Sequence, residues 1–147
     1  MSVRFKFFYT WLHSAFGHPP QLVEARNING LAIGAPHPFY RLSGALSDFS
    51  ENRYGHVDLV LNAVERVESG ERAEYEWEGQ GFTSHITRER VRFEHSVFGE
   101  CPEWPIWCCT LAQYKAALQG YRRFLDMPKS IESELIIELP DGEPTGC

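Results

Sequence analysis

The chain predicts an α+β domain: an antiparallel sheet built on a central meander, with two to three helices packed on one face. Three observations carry this prediction. Residues 73–94 alternate between apolar and polar with the two-residue period of strands, broken by Gly79-Gln80-Gly81. Val57, Val60, Leu61, Val64 and Val67 repeat at helical spacing, and so do Leu111, Tyr114, Leu118, Tyr121 and Leu125. With 147 residues, 43% of them apolar and 14% aromatic, one domain over 1–147 can bury a core without staples.

Taken in order, Val3, Phe5, Phe7, Tyr9 and Trp11 alternate like a strand, while Phe5, Phe8, Tyr9, Leu12 and Phe16 fit a helical stripe equally well. The expectation leans to a helix through Phe16, stopped by Gly17 ahead of Pro19 and Pro20. His13 and His18 are five apart, which suits no helical metal pair. Asn29-Gly30 is the strongest short hairpin cue in the chain. From Gly34 to Arg53 the prolines, serines and Gly44 predict a loop, with one helical turn near Leu42 to Phe49.

A helix is expected over His56–Ser69, ended by Gly70. The meander follows. Ala73, Tyr75 and Trp77 share a face with Phe82, Ser84, Ile86, Val91 and Phe93. Glu74, Glu76 and Glu78 share the other with Thr83, His85, Arg90, Arg92 and Glu94. Arg88-Glu89 is a poor tight turn, since neither residue favours positive φ. Pro102 and Pro105 exclude a regular helix or central strand from the next segment. Of its tryptophans, Trp104 and Trp107, either one plugs the core edge and the other anchors an interface, or both pack inward. Thr110 and Gln113 form a capping box for the last helix, which Pro128 prevents from continuing. Leu135, Ile137 and Leu139 make a final strand, and 141–147 reads as a flexible tail.

The net charge of −6 argues against binding nucleic acid through its phosphates. Charge is also unevenly spread. Between His56 and Glu78 stand Asp58, Glu65, Glu68, Glu71, Glu74, Glu76 and Glu78 against Arg66 and Arg72, a net −5. Adjacent strands lie about 4.8 Å apart, so the Glu row and the Arg row, with one strand between them, are roughly 10 Å from each other and cannot neutralise by contact. The Glu row is a solvated face, the simpler reading, or a docking surface for something basic.

The four cysteines, Cys101, Cys108, Cys109 and Cys147, match neither a disulfide framework nor a zinc site. Reduced thiols are expected, with Cys108 or Cys109 packed as a small apolar residue. Arg4 and Lys6 precede an apolar run, but Thr10, His13 and Ser14 interrupt it and no A-x-A site follows. No run reaches the length of a membrane span, and a cytoplasmic protein is expected.

No phosphate loop, HExxH, nucleophile elbow or paired CxxC is present, so no catalytic, metal or cofactor site is assigned. His85 is the one residue to test as a catalyst, because a His between acids and guanidiniums resembles some phosphodiester-cleaving sites. Net negative charge opposes such a substrate, and the chain is read as non-enzymatic.

The E-Y-x-W-x-G run of Glu74 to Gly79, the C-T-L-x-x-Y-x-x-x-L-x-x-Y-x-x-F-L run of Cys109 to Leu125 and the apolar strand of Leu135 to Leu139 resemble small bacterial immunity proteins. Such proteins are encoded beside toxins of contact-dependent inhibition and other polymorphic toxin systems. The resemblance covers the second half of the chain. It implies a protein that neutralises one cognate toxin C-terminal domain, often a basic nuclease, by occluding its active site, and that is monomeric before binding. No contact residue transfers with it. From charge and position, the expected contacts are Glu74, Glu76 and Glu78, with Glu65, Glu68, Glu71 and Asp58 steering and Trp104 anchoring. The alternative is an intracellular adaptor or assembly subunit using the Trp104–Trp107 loop.

Overall fold

The computed structural model describes residues 3–10, 21–34, 37–49 and 56–147. It is an α+β domain of antiparallel sheets, with three helices among the described residues. The strands divide between two sheets, β2-β1-β7 and β3-β4-β5-β6.

β1 (Val3–Tyr9) is a strand, which overturns the helix expected there. It is central, with β2 (Gln21–Asn27) on one side and β7 (Glu134–Glu138) on the other, both antiparallel. Val3, Phe5, Phe7 and Tyr9 are buried, so period two won over period 3.6. The deciding partner, β7, lies at the far end of the sequence, where no local pattern registers it. The remainder of the expected helix, with His13 and His18, falls outside the described residues.

After β2 the Asn29-Gly30 turn forms where expected. Asn27 Oδ1 accepts from the amides of Asn29 and Leu31, and Gly30 takes φ +82°. The return arm is short, a single Arg26–Ala32 bridge. α1 (Pro38–Leu46) stands inside the predicted loop, beginning four residues before the helical turn expected near Leu42 and ending at Leu46. Pro38 is tolerated because it stands at the first turn, where its missing N–H has no intrahelical partner, and the His37 ring caps the helix by accepting from the Phe39 amide. α2 (His56–Ser69) keeps its predicted bounds, buries its valine stripe, and meets Gly70 at φ +84°.

β3 (Tyr75–Glu78), β4 (Phe82–Ile86) and β5 (Val91–His95) form the meander, in a register that sets Glu76, His85 and Arg92 side by side. Thr87 supplies what the Arg88-Glu89 pair lacks, its hydroxyl bonding both the amide and the carbonyl of Arg90. A fourth strand, β6 (Trp107–Cys109), pairs with β5 immediately after the proline-containing loop. α3 (Leu111–Leu125) begins at the Thr110/Gln113 capping box and touches both sheets. Its Tyr121 and Phe124 meet Phe7 of β1, while its Tyr114 meets Phe93 of β5. The approach to β7 is close enough that a Cβ on Gly120 would stand 2.6 Å from Ile137 Cδ1.

The cysteine expectation needs correcting. Cys108 and Cys147 form a disulfide, while Cys109 is free and buried, and burial pushes its thiol up. Alternation along β6 explains the division of labour: Cys109 shares the core face with Trp107, and Cys108 points the other way, towards the returning chain. The segment expected to fray is therefore fastened. Besides the disulfide, Gln113 Nε2 donates to the carbonyls of Pro140 and Gly142, and Arg90 donates to that of Thr145. Among the described residues no helix is long and apolar enough to cross a membrane.

Candidate functional site

Two surface features bear on function. The first is the polar face of the meander. Glu76 and Glu78 are exposed along β3, an edge strand, and Glu74 is exposed immediately before it. Among the described residues no Lys or Arg pairs with any of the three. His85 stands between two carboxylates, its Nε2 3.8 Å from Glu76 and 3.7 Å from Glu94. These separations are long for hydrogen bonds. The Arg row of β5 lies one strand away from the Glu row, as the alternation predicts.

The acids of α2 do not join this row. α2 packs against the inner, apolar side of β3, whereas the Glu row faces outward. Two of the predicted steering charges are neutralised on the spot: Asp58 bonds Arg122 at 2.7 Å and Glu68 bonds Lys115 at 2.7 Å, tying α2 to α3. Glu71 is 4.0 Å from Arg66, and Glu65 is exposed without an ion pair among the described residues. Of the seven acids, Glu74, Glu76 and Glu78 thus form an outward row, Asp58 and Glu68 a helix–helix seam, and Glu65 and Glu71 belong to neither.

The second feature is a groove of about 480 Å³ between β2, α1 and the end of the meander, with Leu22, Tyr40, Phe82, Trp104 and Tyr121 among its walls. The question about the two tryptophans is answered by position. Trp107 is 6% exposed and stacks on Phe93 with ring centres 4.0 Å apart. Trp104 is 38% exposed at the groove, its ring 4.9 Å from His95 and 5.9 Å from Phe82. His95 in turn stacks on the exposed Phe98, so aromatic surface continues past the rim.

Asp48 lines the same groove and was not singled out in the sequence. Its Oδ2 accepts from the amides of Gly81 (3.0 Å) and Phe82 (2.8 Å). This contact explains the turn between β3 and β4: a Cβ on Gly79 would stand 2.6 Å from that carboxylate and 2.9 Å from the Phe82 carbonyl. Burial raises the Asp48 carboxyl above its ordinary 3.8, against the opposing pull of the two amides and of His95.

A group whose folded-state value is raised contributes stability that is fully present below the unfolded value and is lost as pH rises through the folded one. Wild type should therefore gain on the Asp48→Asn variant as pH falls from about 7 towards about 4. The asparagine oxygen keeps both amide bonds, so the comparison isolates the charge. Urea midpoints of the two proteins across that range measure it, and a constant difference would place the carboxylate in water.

The groove draws on β2, on one side of α1 and the turn after it, and on Phe82, Trp104 and Tyr121. Nothing in the sequence groups them; only the Gly-Gln-Gly turn hints that another chain segment approaches closely. Among the described residues no cluster of three or more His, Cys, Asp or Glu side chains is placed to hold a metal ion. No family model, curated protein or solved structure matches the chain.

Proposed function

We propose that this protein works by binding a basic protein partner, as an immunity protein does when it neutralises a cognate toxin domain by occluding its active site. The observation that carries the reading is the Glu74, Glu76 and Glu78 row, three exposed carboxylates on and just before an edge strand, without a Lys or Arg partner among the described residues. Like charges held this way create a field that accelerates encounter with a cation-rich surface. The competing account is that charged edges merely prevent strand-to-strand aggregation. A cytoplasmic, monomeric protein without catalytic activity belongs to the proposal; the Cys108–Cys147 bond weighs against that compartment, since such bonds are rare there.

Replacing all three acids by lysine separates the two accounts. With the C-terminal domain encoded by whichever gene lies immediately upstream as the trial partner, association at low salt should slow by on the order of tenfold or more, and its salt dependence should flatten. Unchanged association and an unchanged salt slope would leave the row as an aggregation guard. An adaptor role through the Trp104–Trp107 loop is the second reading. It now rests on Trp104 with the exposed Val97 and Phe98, because Trp107 is committed to the core.

A further inference from the structure

The groove beside Trp104 has the make-up of a cation site. Its volume of about 480 Å³ is in the range of side-chain and small-ligand pockets. Aromatic rings from four separate parts of the chain line it, Tyr40, Phe82, Trp104 and Tyr121, and the faces of such rings attract cations. One carboxylate belongs to the same lining. Asp48 spends only Oδ2 on the backbone, and among the described residues its Oδ1 accepts no hydrogen bond. The carboxylate is partly withdrawn from water, the condition under which an arriving counter-charge gains most. Arg41 also lines the groove, but its guanidinium donates to the Pro105 carbonyl at 3.3 Å and is tied to that loop.

We propose that this groove receives an arginine side chain of a basic protein partner, the guanidinium stacking on the aromatic walls and donating to Asp48 Oδ1. Guanidinium fits better than ammonium because it is planar, weakly hydrated and able to stack and donate at once. The net charge of −6 favours a cationic visitor over an anionic one. The identity of the partner rests on the function proposed above; the chemistry of the groove does not.

The test therefore begins without the partner. N-acetyl-arginine methylamide is titrated into the full chain and followed through the Trp104 indole and the Gly81 and Phe82 amide signals, with N-acetyl-norleucine methylamide as the uncharged control. Saturable shifts with the arginine probe, at a dissociation constant on the order of millimolar, are expected, and none with norleucine. Asp48→Asn should weaken the probe about tenfold or more while leaving the spectrum that of the native fold. Trp104→Ala should do the same.

Equal binding of both probes, or no saturation with either, overturns the site. So does full binding by Asp48→Asn. If the arginine probe binds as expected but the C-terminal domain encoded by the neighbouring upstream gene does not bind at all, the groove assignment stands and the immunity reading falls.

Discussion

Phe7→Ala is expected to cost about 3–5 kcal/mol of unfolding free energy. Phe7 is 0% exposed, and its ring centre lies 6.3 Å from Phe5, 5.7 Å from Tyr121 and 5.8 Å from Phe124. The truncation removes the ring through which the three-stranded sheet grips α3. Relaxation into the space is poor, because the walls are other rings and the backbone at Gly120, already at close approach. Phe7→Leu should recover more than half of the loss. Urea denaturation decides the matter, and a cost below about 1 kcal/mol would mean that the two sheets do not share one core.

Cys147→Ser should cost about 4 kcal/mol, the chain-entropy estimate for releasing a loop closed across 39 residues. That loop contains all of α3 and β7, so the unfolded chain regains much freedom when the bond is absent. Cys101→Ser is the control, since that thiol is unpaired. Reductant should lower the melting temperature of wild type towards that of the variant and leave the variant unmoved. Wild type and variant melting alike without reductant would mean that the bond does not form in the purified protein.

The parts of the fold legible in the sequence are those whose determinants lie within one element. α2 and α3 carry full stripes and local stop or cap signals, and the meander faces follow from alternation with a glycine turn between. Long-range determinants were not legible. β1 fits two periods until β7 pairs with it, and β6 is three residues long and exists because β5 offers an open edge. Of α1 only a turn near Leu42 was legible; its start was not, because proline breaks a helix in its interior but suits its first turn, and histidine is an uncommon cap. The disulfide joins cysteines whose spacing matches no framework; only the fold brings Cys147 to β6. Of the expected contacts, the Glu row was readable as an outward face and Trp104 as a large side chain in a proline-rich loop. The neutralisation of Asp58 and Glu68 was not, because Arg122 and Lys115 arrive from α3.

The pairing of β1 with β7 has a consequence for how the protein comes into being. Phe7 meets Leu135 in that ladder, so β1 waits for an element synthesised much later than itself. At ordinary elongation speeds of about 5–20 residues per second, the roughly 130 residues between them take about 6–25 s. Throughout that interval β1 carries its buried phenylalanines with at least one unpaired edge. An edge of this kind favours capture by holding chaperones until β7 emerges, and slow codons between the two strands would lengthen that period.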